Sequence, residues 1–331
     1  MSLMKNIGKV NMEKLFVLVL ALFMTFVMKG QQKAQYSQYM QNQYVLNPAI
    51  AGTEHFTDVR VGFRSQWLGL SGSPMTYYLS VHTPLGKEFG PTHQHRKGES
   101  QHWHGVGLNI YNDVTGKTSR SGVLASYSYI MSLNRHLNWS FGSFVGFQNF
   151  KIGKDFSTKH VGDGLLETGF SVFKPDLILG TWLYDKNWYV GISAHQLLKS
   201  ELNFKDVDGV GESNLTNHYF VSAGVNLPIS YNWGLVPSAM IKIASPAVPS
   251  VDLNGKMTYK GDLCWLGLSY RAFDSFVIMG GLTVKERLGI SYSFDFTYSE
   301  LKEYTSGGSH EIVLAWRILP RVPIKSPSKF W

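Results

Sequence analysis

The sequence has little charge and almost no cysteine. Of its 331 residues, 16% are charged and one is a cysteine, Cys264. A lone cysteine excludes an intramolecular disulfide framework and any cysteine metal cluster. Soluble domains typically carry about 25% charged residues, so a surface with this little charge is better suited to lipid than to water.

Long apolar runs are also scarce, because the only one covers residues 15–28. Lysines precede this run and Gly30 follows it, which predicts a secretory signal peptide over residues 1–30. A transmembrane anchor is the alternative, but a spanning helix needs about 20 apolar residues. Beyond residue 30, the chain therefore crosses a membrane only as a closed β-barrel, the other fold that satisfies every backbone group in hydrocarbon.

The net charge is too small to indicate a polyanionic partner. It is +8 for the whole chain and +5 without residues 1–30, which contain four lysines and Glu13. The sequence also contains no recognisable RNA- or DNA-binding motif. We therefore expect no nucleic-acid partner.

Strict alternation of apolar and polar residues is the main pattern present. In "RLGISYSFDFTYS", the apolar side chains from Leu288 to Tyr298 fall on one face, and Ser291, Ser293 and Asp295 fall on the other. Successive side chains of a strand point to opposite faces. The segment therefore predicts a strand with its apolar face toward lipid and its polar face toward a lumen.

Fourteen alternating or aromatic-rich windows lie between residues 56 and 319, separated by turn residues. An even number of strands of about 10 residues fits a transmembrane antiparallel β-barrel of the bacterial outer membrane; a β-sandwich is the alternative. We predict an all-β barrel of about 14 strands with a short N-terminal helical segment. The expected regions are a signal peptide (1–30), a periplasmic or plug segment (31–55), the barrel (56–319) and a tail (320–331).

The loops and tryptophans predict an orientation. Outer loops of such barrels are long and periplasmic turns are short, and the segments 151–170, 199–214 and 299–308 fit outer loops. The long segment 84–102 is an exception among the predicted periplasmic turns. Six tryptophans near the periplasmic end predict an aromatic girdle: Trp103, Trp139, Trp182, Trp188, Trp233 and Trp265.

The first and last strands must pair to close the barrel, and both carry charged residues on the face predicted to be inward. We expect one charged ladder inside the lumen, formed by Arg60, Arg64, Glu311 and Arg317. The alternative is that these charged side chains line a water-filled lumen and are solvated there without forming a ladder.

The segment "YSQYMQNQYVLNPAIAG", residues 36–52, precedes the first strand. Its aromatic and glutamine residues fall at helical spacing, and Asn47 with Pro48 should end a short helix. Such a helix is too short to be stable alone, so it must pack against the lumen wall as a plug or dock onto a partner. The residues assigned to this role are Tyr36, Tyr39, Met40, Tyr44, Asn47 and Pro48.

Several motifs in combination resemble a known family. These are YSQYM and NPAIAG after the signal peptide, "RSQWLGLSGSPMT" over residues 64–76, and a last strand opening with Ser309, His310 and Glu311. The pattern, over nearly the whole mature chain, resembles the PorP/SprF family of outer-membrane proteins of the type IX secretion system. The segment 84–102 and the tail after the last strand depart from it.

The resemblance implies a role in export or surface attachment of proteins with a C-terminal sorting domain, and in some systems in gliding motility. It implies contact with outer-membrane lipid and with secretion machinery in the periplasm and outer membrane. It implies no catalysis and no cofactor. A passive porin or hydrophobic-solute transporter is the alternative function.

Histidines raise two further alternatives. His93, His95, His102 and His104 form two HxH pairs that could bind a transition metal, although a polar loop is the simpler interpretation. A barrel hydrolase needs a nucleophile placed beside a base, and the sequence contains no recognisable set of this kind. We therefore expect neither a metal site nor an enzyme.

The loop asymmetry generates a topological prediction. Epitope tags inserted near residues 160 and 206 should be labelled by antibody on intact cells, and a tag near residue 95 should be labelled only after the outer membrane is permeabilised. The reverse labelling pattern would contradict the assigned orientation.

Overall fold

The computed structural model describes residues 33–86, 102–134, 136–153, 169–198, 201–202, 213–214, 216–244, 247–299 and 307–319. Across these ranges, fourteen antiparallel strands form a closed barrel, and residues 33–56 precede the first strand. Within the same ranges, no helix has the length and apolarity needed to cross a membrane.

The barrel strands are numbered here in chain order. They are β1 Thr57–Ser65, β2 Met75–Leu85, β3 His102–Thr115, β4 Thr118–Ser132, β5 Asn138–Ile152, β6 Phe170–Tyr184, β7 Trp188–His195, β8 His218–Val225, β9 Trp233–Ala244, β10 Ser250–Tyr259, β11 Cys264–Arg271, β12 Ser275–Val284, β13 Leu288–Thr297 and β14 Ser309–Ile318. The short strands Glu201–Leu202 and Ser213–Asn214 pair with each other, and Leu227–Pro228 pairs with the start of β9.

Closure follows from the pairing of the first and last strands. Each strand pairs with its sequence neighbours, and β1 pairs with β14 from Thr57 opposite Ile318 to Ser65 opposite His310. A ring closed in this way leaves no open sheet edge along the paired strands, which hydrocarbon requires. The predicted antiparallel barrel and its strand number are confirmed.

The two faces of the wall also match the predicted alternation. On β13, Leu288, Ile290 and Tyr292 are exposed on the outside, whereas Ser293 and Asp295 are buried inside. Strands β1 and β14 show the same period, with apolar residues outside and charged residues inside. An apolar outer face beside a polar lumen is the pattern of outer-membrane barrels.

The connections define two ends of the barrel. At the end where β1 begins and β14 ends, here called the turn end, the links include residues 133–137, 185–187, 260–263 and 285–287. The opposite end, here called the loop end, carries the longer links 153–169, 196–217 and 298–308. The exception at the turn end is the link between β2 and β3, as expected from the sequence.

The predicted tryptophan girdle is only partly correct. Trp139 and Trp233 are exposed on the outer wall near the turn end, but Trp103, Trp182 and Trp265 are buried inside. The Nε1 atom of Trp103 donates a hydrogen bond to the carbonyl of Gly52, and the Trp182 ring stacks on another inward-facing ring 4.6 Å away. An indole finds both an apolar contact and a polar partner in this interior, which the sequence position alone did not reveal.

Leu314 tests the lipid-facing wall. It lies in the middle of β14 between the exposed side chains of Val61 and Ile290, and it is 52% exposed. Leu314→Arg should lower the folded fraction at a cost of roughly 2–4 kcal/mol, because the charge would lie near the bilayer midplane. Heat-modifiable migration of the barrel on gels measures this fraction, and Leu314→Phe is the matched control. Equal folding of both variants would contradict lipid exposure.

Candidate functional site inside the barrel

Residues 33–56 lie inside the barrel and join no strand. Residues 36–54 are all buried, with Tyr39 and Tyr44 1–2% exposed and residues 49–51 fully inaccessible. The segment is therefore surrounded by wall along nearly all of its length. This segment is called the lumen segment below.

The lumen segment runs along the barrel from one end to the other. Lys33 contacts His195, the last residue of β7, and Ser37 contacts Asp295 near the end of β13, so both lie in the loop half. Gly52 contacts Trp103 at the start of β3, in the turn half. The start of β1 and the end of β14 both lie at the turn end, as predicted. Residue 33, which precedes β1 in the chain, lies toward the loop end instead.

The predicted helical segment consists of two short 3₁₀ helices, Gln43–Val45 and Pro48–Ile50, and a turn over residues 37–41. Asn47 separates the two helices, and its Oδ1 atom accepts a 3.0 Å hydrogen bond from the amide of Ala49. Within residues 36–46, the carbonyls of Gln38, Tyr39 and Gln43 each accept a hydrogen bond from the amide three residues further on. These are the hydrogen bonds of turns and 3₁₀ helices, so the helical spacing produces short turns instead of one α-helix.

Five donors of the wall bind main-chain carbonyls of the lumen segment. The Oγ atom of Ser193 and the Nε2 atom of His195 each lie 2.7 Å from the Leu46 carbonyl. The remaining pairs are Ser140 with the Ala49 carbonyl, Ser128 with the Ala51 carbonyl at 2.6 Å, and Trp103 with the Gly52 carbonyl at 2.9 Å. These carbonyls are therefore satisfied although they are removed from water.

Side chains of the lumen segment add a second set of contacts. Asn47 donates to the carbonyls of Thr181 on β6 and Ile192 on β7, at 3.0 and 3.3 Å. The other pairs are Asn42 with Ser80 at 2.9 Å, Gln43 with Tyr189 at 2.6 Å, Tyr44 with Ser126 at 2.7 Å and Tyr39 with Asn254. Contacts on so many strands fix the lumen segment to the wall along its length.

Inward-facing glycines make room for this close approach. A Cβ atom on Gly142 would lie 2.5 Å from the Ala49 nitrogen, and one on Gly105 would lie 2.1 Å from the Ala51 carbonyl oxygen. Gly180 similarly faces the side chain of Asn47. Any larger residue at Gly142 or Gly105 would displace the backbone of the lumen segment, and one at Gly180 would displace the side chain of Asn47.

The four charged residues predicted to form one ladder are all buried inside, but they belong to two groups. In the loop half, Arg64 lies 2.8 Å from Asp295 and 3.5 Å from Glu311. In the turn half, Arg60 lies 2.8 Å from Asp58, and Arg317 lies 3.6 Å from Asp262. Arg60 and Arg64 are four residues apart on one strand, so each reaches a different set of carboxylates.

The group in the loop half is larger than the sequence suggested and includes the lumen segment. Arg271 lies 3.6 Å from Asp295 and from Asp252, and 3.0 Å from Asp274, and Lys242 lies 2.6 Å from Asp252. Ser37 joins this network, because its amide and hydroxyl donate to Glu311 and Asp295 at 2.6 Å. Buried charges need such partners, and the network supplies them from six strands and the lumen segment.

Among the described residues, small gaps remain beside the lumen segment. A gap in the loop half is lined by Lys33, Tyr36, Asn109, Asp113 and Arg120 among others. A gap in the turn half is lined by Gln41, Arg60, Asp262, Trp265 and Arg317 among others. They lie on different sides of the segment.

The residues assigned from the sequence are therefore all interior. Tyr36, Tyr39, Met40 and Tyr44 pack against the wall, so they reach a partner outside the barrel only if the segment leaves the lumen. Sequence reasoning missed the wall residues that hold the segment, Trp103, Ser128, Ser140, Ser193 and the glycines. Serines and glycines on the polar face of alternating strands were the signal for them.

The histidine pairs fall partly outside the described residues, which exclude His93 and His95. The Nδ1 atom of His104 lies 2.7 Å from the Tyr127 hydroxyl, and the two rings stack on the outer wall. Among the described residues, no group of three or more candidate ligands is placed to hold a metal ion.

The fold and its solved neighbours define the class of protein. A closed barrel of fourteen strands with an apolar exterior is an outer-membrane β-barrel. The CymD monoaromatic hydrocarbon channel is 11% identical, with a TM-score of 0.50 over 88% of this chain and 94% of CymD. The TodX monoaromatic hydrocarbon channel deltaS2 mutant is 11% identical, with a TM-score of 0.51 over 85% and 94% of the two chains. At this identity, the likeness shows the fold alone.

Comparison with protein families gives a more specific result than the fold does. The family described as type IX secretion system membrane protein PorP/SprF matches residues 28–316, and the chain belongs to this family. Its function is accordingly that of a non-enzymatic membrane component of the type IX secretion system. None of the curated proteins matches the chain.

Gly142 tests the contact between the wall and the lumen segment. Gly142→Ala should destabilise the barrel by about 1–3 kcal/mol, because the new Cβ atom overlaps the backbone at Pro48 and Ala49. The midpoint of heat-induced unfolding measures the loss. Gly255→Ala is the control, because a Cβ atom there meets nothing within 4 Å. Equal midpoints for both variants would contradict the close contact.

Proposed function

We propose that the lumen segment is a plug that keeps this secretion-system barrel closed to solutes. The observation that carries the proposal is the main-chain anchoring of residues 46–52 by donors on β3, β4, β5 and β7. A segment bonded to several strands at once cannot move aside by a single side-chain rotation. Leaving the lumen would break many hydrogen bonds together.

A closed barrel acts through its surfaces and loops. We infer that residues 1–30 are removed on export, and that the mature barrel binds secretion machinery in the periplasm and outer membrane. In this function, it supports export or surface attachment of proteins with a C-terminal sorting domain, and through them gliding motility. Outer-membrane lipid surrounds its apolar wall, and no solute needs to pass through its lumen.

The alternative of a passive porin or hydrophobic-solute transporter requires an open path through the same lumen. The hydrocarbon channels resemble this chain in fold alone, so what they transport carries no argument here. The buried plug and the charged network in the loop half favour closure over conduction. The two functions therefore differ in a measurable property.

Conductance in planar lipid bilayers tests the plug. The unmodified chain should show no steady conductance. Ser37→Ala combined with Asn47→Ala removes side-chain hydrogen bonds at two separate points of the plug, each worth about 1 kcal/mol, and should produce frequent open-channel events. The control is Ser171→Ala with Asn149→Ala, which removes a hydrogen-bonded pair of the same residue types on β5 and β6 away from the plug.

Two results would contradict the proposal. A steady open channel in the unmodified chain would support the porin function. A double variant that remains closed, while its barrel migrates as a folded species, would show that the plug is not the barrier. Co-purification of secretion components with the unmodified chain from native outer membrane tests the proposed partners, and a chain that purifies alone would count against them.

A further inference from the structure

Side chains of the wall bind the plug mainly through the backbone carbonyls of the plug. Leu46, Ala49, Ala51 and Gly52 each give a carbonyl oxygen to a wall side chain, and every polypeptide carries such carbonyls. The wall donors belong to β3, β4, β5 and β7, so they follow the plug around the barrel. This row of donors is called the carbonyl track below.

The space along the carbonyl track selects for small side chains. Ala49 and Ala51 are fully buried, and their backbone touches Gly142 and Gly105. A larger side chain on the plug at Ala49 or Ala51 would meet the wall at van der Waals distance or closer. The track therefore discriminates by size and by main-chain shape, with Asn47 as the main side-chain contact.

We propose that the carbonyl track is a binding site for polypeptide main chain, and that a segment of a second polypeptide with small residues occupies it when the plug is displaced. This inference rests on the proposed function, because the plug of the same chain then occupies a site that a second polypeptide can also bind. The ligand is an unfolded stretch with alanine- or glycine-sized residues opposite Ser140 and Ser128. Membership in a protein secretion system makes such polypeptides the relevant class of ligand.

Competition between plug and ligand follows from mass action. The plug is tethered directly to β1, so its effective concentration at the carbonyl track is in the millimolar range or above. A free peptide therefore binds the unmodified chain weakly. Weakening the plug without changing the track should expose the site, and the double variant of Ser37 and Asn47 changes plug residues only.

Binding of a fluorescently labelled peptide of residues 45–53 to the full-length chain in detergent tests the site. Fluorescence anisotropy should show binding to the Ser37→Ala, Asn47→Ala variant at least about tenfold tighter than to the unmodified chain. The control with Ser171→Ala and Asn149→Ala should bind as weakly as the unmodified chain. Heat-modifiable migration confirms that each barrel is folded.

Three altered peptides test recognition of the main chain on one and the same protein variant. Replacing the carbonyl oxygens of Ala49 and Ala51 by sulfur weakens two acceptors, and the peptide should bind about tenfold less tightly. A peptide with Leu46→Met, Ala49→Ser and Ala51→Ser keeps every carbonyl and should bind within about threefold of the original. A peptide with Ala49→Trp should not bind, because the wall has no room for the ring.

The outcomes separate the two proposals. If the plug-weakened variant conducts but binds the peptide no tighter than the unmodified chain, the plug proposal is supported. The proposal that the carbonyl track binds a second polypeptide is then contradicted. Equal affinity of the sulfur-substituted peptide would likewise overturn main-chain recognition. If the variant neither conducts nor binds peptide, the plug itself is refuted, and the inference that rests on it is refuted with it.

Discussion

Every backbone donor and acceptor at membrane depth must find its partner inside the protein, because hydrocarbon offers none. The ring of fourteen strands meets this requirement on its outer wall through pairing of β1 with β14. The lumen segment meets the same requirement differently, since its carbonyls lie among strands whose own backbone groups are already paired. Side chains of the wall must therefore satisfy them, and serine, histidine and tryptophan do so.

This requirement explains the composition of the inner wall. Serine supplies a hydroxyl on a short stem, and glycine lets the plug backbone come within reach of it. Serines and glycines therefore lie on the inner face of β3 to β7 where the backbone of the lumen segment comes closest, with larger residues such as Trp103 and Trp182 between them. Ion pairs occupy the lumen beside β1 and β9 to β14. The lumen is thus divided into a side that binds backbone and a side that balances charge.

The charged side links the plug to the closure of the barrel. Arg64 and Glu311 face each other across the seam between β1 and β14, and Ser37 of the plug donates to Glu311 and Asp295. An unpaired charge at this depth would be costly, so seam and plug stabilise each other. Removing the lumen segment would therefore require these contacts to rearrange or to be hydrated, which couples the position of the segment to closure of the barrel.

The sequence by itself determined the barrel, its strand number of about 14 and the outward faces of β1, β13 and β14, because a period of two needs no knowledge of distant residues. It also located the segment before β1 and the inward charges Arg60, Arg64, Glu311 and Arg317. Only the tertiary structure decided that these charges form two groups, that three tryptophans turn inward and that helical spacing yields 3₁₀ turns. Those features depend on which residues of other strands face a given side chain across the lumen. Closure of the ring sets the distances between these residues, and the local periodicity of one strand carries no information about them.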